Sequence, residues 1–245
     1  MIRLSLVLVI LLSPLAIYAE SFDLSDGMSI QDTIDLASDG DTINLAAGTY
    51  TGDIDFRGKA ISVVGQGRDS VINGSGEGPV VNFDNGEGFL SLLDQVRVTG
   101  GKDEGAVHIK DSSPRVNRSW ILANKSLDHA SGIFIENGSP TFFNNVISNN
   151  RRAKGGDDPH QVYIDGASPN FINNTIIRGD SNGIFITGDS APRLSNNIIA
   201  YNGKGSKGRG ICIISFSNGL ELDHNLFFRN LLADIFAPGS GGDFN

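Results

Sequence analysis

The feature that most restricts this chain is a template that recurs from residue 114 onward. Four prolines, Pro114, Pro140, Pro169 and Pro192, each follow a small residue and stand 26, 29 and 23 residues apart. Two positions beyond each proline is an apolar residue, Val116, Phe142, Phe171 and Leu194, and seven beyond is an isoleucine, Ile121, Ile147, Ile176 and Ile199. Between them runs a polar column, Ser119, Asn145, Asn174 and Asn197. A second polar column follows as Asn124, Asn150, Asn202 and Asn230, with Gly179 the exception. The run LELDHNLFFRN keeps the register without its proline, through Leu222, Asn225 and Phe227. Repeats of this length mean stacked coils, because one unit cannot bury its apolar face alone.

Upstream of each proline lies a short alternating segment: AVHIK, GIFIE, QVYID, GIFIT and GICII. Alternation with β-branched residues predicts strands, and nothing between them has helical periodicity. A leucine-rich repeat would need a helical half, and the Gly-Gly-x-Gly-x-Asp calcium repeat does not recur. The remaining architecture is an all-β solenoid whose strands pair with those one turn away, at about 4.8 Å. Equivalent template positions then superpose. Aliphatic columns fill the interior, each buried Ile or Phe contributing about 1.5–3 kcal/mol. Asparagines mark bends, where an unsatisfied buried backbone group costs about 1–3 kcal/mol and a stacked amide can satisfy it. That role accounts for most asparagines, against the alternative that Asn73, Asn117, Asn124 and Asn137 are glycosylation acceptors.

The ends differ from the repeat. Met1 to Ala19, MIRLSLVLVILLSPLAIYA, reads as a secretory signal peptide, with the mature chain free of a membrane span and the protein secreted or periplasmic. Residues 20–52 are expected to hold an N-terminal cap and the first strands, with Ser29 capping a short helix that turns Ile30, Ile34 and Ala37 to one side. The solenoid is expected over 53–235, closed by LLADIF from Leu231, and 236–245 as a flexible tail. With one cysteine, Cys212, no disulfide forms within the chain. A formal charge of -9 argues against nucleic acid and anionic membrane surfaces as partners.

The opening SIQDTIDLASDGDTINLAAGTYTGDIDFRGKAISVVGQG and the turns SPTFFNNVISNN, SPNFINNTIIRG and APRLSNNIIAYN resemble the secreted right-handed parallel β-helix repeat proteins of the pectate-lyase-like superfamily. The resemblance spans Ser29 to Asn230 and implies a single-stranded right-handed parallel β-helix with a short N-terminal capping helix. That superfamily includes polysaccharide lyases, glycoside hydrolases and epimerases. The chain departs from the polygalacturonase pattern, having neither Gly-His-Gly nor Arg-Ile-Lys. A lyase's catalytic arginine beside an aspartate cluster is not assignable either.

If Val107, Ile109, Ile133, Ile135, Val162, Ile164, Ile184 and Ile186 point inward, their neighbours point outward. These form one column of His108, Phe134, Tyr163, Phe185 and Cys212, and another of Lys110, Glu136, Asp165 and Thr187. Aromatic rings suit the flat faces of sugars, so the first reading is a polysaccharide or cell-surface glycan bound by His108, Phe134, Tyr163 and Phe185. The competing reading is that these rings stack on one another for stability. An enzyme is the alternative function: a lyase, hydrolase or epimerase acting on a uronate-containing glycan through Lys110, Glu136, Tyr163, Asp165 or His160. Glu136 and Asp165 would lie one strand apart, where like charges share a proton, bind a cation such as Ca²⁺, or splay into solvent. Asp157 and Asp158 are further candidate metal ligands, and Arg151, Arg152 and Lys154 could contact a uronate carboxylate.

Overall fold

The computed structural model describes residues 18–155, 159–204, 208–215, 219–237 and 242–244. The expected signal peptide and the aspartates Asp157 and Asp158 lie outside these residues. Short strands alternate with bends and coil around an apolar interior, and strands one turn apart pair in parallel to make three long sheets. In each repeat the chain passes from the first sheet (Ala130–Glu136, for example) to the second (Thr141–Phe143) and then to the third (Val146–Ser148). The registers are those the template demands: Phe142 pairs with Phe171, and Ile147 with Ile176. Inside, the Phe142 and Phe171 rings stack at 4.5 Å with 9° between planes, and both are fully buried. Such a pair adds about 0.5–1.5 kcal/mol beyond its burial.

The paired asparagines have separate tasks. The first of each pair, Asn144, Asn173 and Asn196, takes φ of 57°, 58° and 55°, a left-handed conformation that asparagine tolerates better than most residues. This bends the chain between the second and third sheets. The second of each pair faces inward and joins a ladder. Asn174 Oδ1 accepts from the Asn145 backbone N–H at 2.9 Å and from Asn145 Nδ2 at 3.0 Å. Asn174 Nδ2 donates to the Phe142 carbonyl at 3.0 Å and to Asn197 Oδ1 at 3.1 Å. The pattern continues through Asn197 to Asn225, so each buried amide is saturated and each bend's N–H has an acceptor.

A second ladder closes the bend after the third sheet, and here the repeat has its gap at Gly179. Gln161, from the first-sheet strand that precedes Gly179 in the same coil, fills it. Its Oε1 accepts from Asn150 Nδ2 at 2.9 Å, and its Nε2 reaches Asn202 Oδ1 at 3.3 Å and the Ile177 carbonyl. A Cβ on Gly179 would meet Gln161 Cγ at 2.4 Å, so the glycine makes room for the substitute. The ladder ends on a carboxylate, with Asn230 Nδ2 donating to Asp234 Oδ1 at 3.0 Å.

At the N-terminal end the helix Ile30–Leu36 covers the first coil, with Ser29 Oγ accepting from the Asp32 N–H at 3.1 Å and with Ile30 and Ile34 buried. Lys59 Nζ satisfies its far end by donating to the carbonyls of Ile34, Asp35 and Ala37 at 2.7, 2.9 and 2.8 Å. Within residues 20–52, expected to hold the cap and the first strands, Thr42–Leu45 and Gly48–Thr51 belong to the second and third sheets. At the other end LLADIF does not fold over the last coil: Ala233–Ala237 extends the first sheet in parallel, leaving Leu231 and Leu232 exposed. Within the expected tail, Gly242–Phe244 pairs antiparallel with that strand, giving its open edge hydrogen-bond partners.

The Gly179–Gln161 exchange is directly testable. Gln161→Ala and Gly179→Asn should each destabilise the fold, by at least about 1–3 kcal/mol for each orphaned buried group or by steric clash. The double variant should recover most of the loss, because the new asparagine restores the ladder. Urea denaturation of the four proteins measures this coupling.

Candidate functional site

Alternation in the first sheet does turn one residue in two outward. The register places His108 beside Phe134, Phe134 beside Tyr163, Tyr163 beside Phe185 and Phe185 beside Cys212. Exposure varies along the column. His108 and Cys212 are buried, at 9% and 4% exposed, whereas Phe134, Tyr163 and Phe185 are half-buried. The rings contact one another: Phe134 meets Tyr163 edge-on at 5.4 Å, and Tyr163 stacks with Phe185 at 5.0 Å.

Two histidines from neighbouring segments complete the cluster. His160 stacks on Phe185 at 4.3 Å with 6° between planes, while Ser181 Oγ and Asn182 Nδ2 lie 3.2 and 3.3 Å from its Nδ1. It is thus part of the aromatic platform, not a member of the carboxylate column. His129, exposed on the turn before Ala130, stacks on Phe134 at 5.6 Å and meets Tyr163 edge-on at 5.1 Å. Its Nδ1 is 3.2 Å from Asp128 Oδ2. His129 occupies no repeated template position; its one sequence signal is that three of the chain's four histidines fall between residues 108 and 160.

Burial sets the protonation of this cluster. Desolvation lowers the pKa of His108, against the opposing pull of Glu104, Asp84 and Glu136, and its Nε2 is buried with no hydrogen-bond partner. Desolvation also raises the Tyr163 phenol, with Asp165 and Asp128 adding to the shift. Both rings are therefore neutral near pH 7.

The carboxylate column is arranged as the alternation implies, with Lys110 paired to Glu136 and Glu136 to Asp165. Lys110 Nζ lies 3.1 and 3.0 Å from the two Glu136 oxygens, and that hydrogen bond raises the lysine's pKa. Glu136 thus has a cation already beside it, and Asp165 stands next in line, half-buried. Among the described residues no group of three or more His, Cys, Asp or Glu side chains forms a metal site. Arg151 does not join this face: it lines a groove with Arg97 and Lys125 beside the third sheet. Arg152 continues the same two-residue strand, and Lys154 sits exposed on the following turn.

Three parallel sheets around an apolar interior, closed by amide ladders, define the class of this molecule as a right-handed parallel β-helix protein. Its residues 34–234 match the model of the NosD family, described as "Periplasmic copper-binding protein (NosD)", and the chain belongs to that family. Comparison with curated proteins gave no significant match. Among solved structures, the chain is similar to pectate lyase Pel9A, at TM-score 0.58 and 16% identity over 94% of this chain and 74% of that one. It is also similar to an alginate lyase from Paenibacillus sp. str. FPU-7, at TM-score 0.42 and 12% identity over 89% and 99% of the two chains.

A pH dependence follows from His108. Its folded pKa lies below the ordinary value, so the unfolded chain takes up the proton first as pH falls through about 6.5. Its contribution to stability is therefore present at neutral pH and lost on acidification. His108→Phe, which continues the ring column without an ionisable group, should lose less of its thermal midpoint between pH 7.5 and pH 5 than the wild type. Calorimetry at the two pH values checks the difference.

Proposed function

We propose that this protein binds a glycan chain along the outer face of its first sheet. The observation that carries the reading is the half-exposed platform of Phe134, Tyr163 and Phe185, extended sideways by the rings of His129 and His160. The rings are fixed by contact with one another, so little side-chain freedom remains to be lost on binding. Each ring presents an apolar face while polar groups, Glu136 and Asp165 among them, lie beside it for hydroxyl contacts. That combination suits a sugar, which has an apolar ring face and a polar rim. His108 is buried and supports Phe134 from the adjacent coil, with ring centroids 5.4 Å apart. The shared β-helix fold is compatible with this reading, although fold alone does not assign an activity.

The family description implies copper, and the described donors do not fit it. His108 and His129 both stack on Phe134, and no three metal-ligating groups converge among the described residues. Cys212 is buried, and Met28 Sδ accepts the Ser25 backbone N–H at 3.3 Å. For Ca²⁺, the adjacent carboxylates Glu136 and Asp165 have no third acidic or histidine partner among the described residues, and Lys110 already neutralises one of them.

Affinity electrophoresis in gels containing polygalacturonate, alginate, xylan or β-glucan tests the reading. Retardation without new reducing ends supports binding; release of unsaturated products would favour a lyase. Combined Phe134→Ala and Tyr163→Ala should weaken affinity by about tenfold or more, at roughly 1 kcal/mol for each stacked ring. Tyr163→Phe, which keeps the ring, should retain most of it. No retardation in any gel overturns the proposal.

A further inference from the structure

Positive charge gathers at one place in this acidic chain. Although 28 acidic residues outnumber 19 basic ones, two grooves beside the third sheet, about 390 and 320 Å³, are lined by Arg97, Lys102, Lys125 and Arg151 and, among the described residues, by no carboxylate. The grooves share Ala123 and Lys125, so they form one furrow that crosses successive turns from Asn73 to Arg151. The backbone places its cations in a file. Lys102 bridges to Lys125 in parallel, and Lys125 pairs with Arg151, which sets three positive side chains on consecutive turns. Neighbouring strands are about 4.8 Å apart, and like charges opposite one another at that distance are destabilising.

Several cations elsewhere are paired with a carboxylate: Lys110 with Glu136, Arg118 with Asp94, Arg57 with Asp55 and Arg193 with Glu221. The furrow is different. Lys102 has only the exposed Glu77 at 3.9 Å, Arg151 reaches the neutral Asn149 Oδ1 at 3.4 Å, and Lys125 has no ion pair among the described residues. Arg97 adds a buried Nε with no hydrogen-bond partner. An uncompensated file of cations in a concave surface is explained by an anionic ligand, which would supply the missing charge.

We propose that this furrow binds a linear glycan carrying an oxyanion, carboxylate or sulfate, on successive repeat units and lying along the solenoid axis. The period of the cations is the period of the coil, so the ligand must repeat its charge at a comparable interval. Asn73 and Thr99 add neutral polar groups for hydroxyls. A nucleic acid is a worse fit, because among the described residues no aromatic side chain lines the furrow to stack on bases. None of Phe134, Tyr163, Phe185, His129 and His160 lines the furrow, so the two sites can be tested apart.

Isothermal titration of the exported chain with polygalacturonate, chondroitin sulfate, neutral xylan and a single-stranded DNA oligonucleotide tests the assignment. The wild type should bind one or both anionic glycans, more weakly as salt rises, and the carboxylated and sulfated probes distinguish the two oxyanions. Lys125→Gln combined with Arg151→Gln should lower that affinity by about tenfold or more and flatten its salt dependence. Both side chains are exposed, so the thermal midpoint should hold. Phe134→Ala should leave the salt-sensitive component unchanged. The proposal is overturned if neither anionic glycan binds, if the double variant binds as well as wild type, or if DNA binds more tightly than both.

Discussion

The structure depends on hydrogen bonding at the bends. A strand pair satisfies its own backbone, but a solenoid must turn between sheets in every coil, and each turn points amides toward an apolar interior. The stacked asparagines solve this because one carboxamide has two donors and two acceptor sites, enough to serve its own coil and both neighbours. The solution works only if consecutive coils superpose. Register is thereby fixed twice, by apolar columns that must face inward and by polar ladders that tolerate no slip. Gln161 shows how strict the requirement is: where the template lacks an amide, a longer side chain from a different segment supplies one at the same point in space.

Much of this was legible in sequence because repetition converts a weak local signal into a column. The inward positions of Val116, Phe142, Phe171 and Leu194, the ladder from Asn145 to Asn225 and the helix capped by Ser29 all followed from spacing and residue chemistry. The ends were less legible. A chain terminus has no neighbouring coil to copy, so the continuation of LLADIF as a strand rather than a cover left no periodic trace. The same reason hid the reach of Gln161, which belongs to the column of strand residues by sequence and to the bend by geometry.

The candidate site divides along the same line. The outward column of His108, Phe134, Tyr163 and Phe185 followed from alternation, but its depth did not. Alternation gives the side of a sheet a residue faces, whereas exposure depends on the irregular turns that flank it. Those turns bring His129 against Phe134, and they make His108 a buried support with an unpartnered nitrogen. The carboxylate pair illustrates a further point. Glu136 and Asp165 are neighbours as alternation requires, yet the electrostatic problem they pose is relieved on one side by Lys110, whose position in the same column was equally readable. A ladder of outward residues must be read as a whole, since each member has two neighbours.

The sharpest contrast lies between the two charged files that the coil creates. Vertical stacking forces like-template residues together, and where they are charged the fold must alternate sign or find compensation outside itself. The first sheet compensates in part, placing Lys110 before Glu136 and Asp165. The furrow beside the third sheet does not, and lysine, lysine and arginine follow one another on consecutive turns. In a protein whose surplus charge is negative, acidic residues were available to break that file, and none among the described residues lines it. Stacked on consecutive turns, these cations are left to solvent or to a ligand. The repeat itself then acts as a ruler, because the spacing that stabilises the core also sets the interval at which an extended polyanion would have to present its charge.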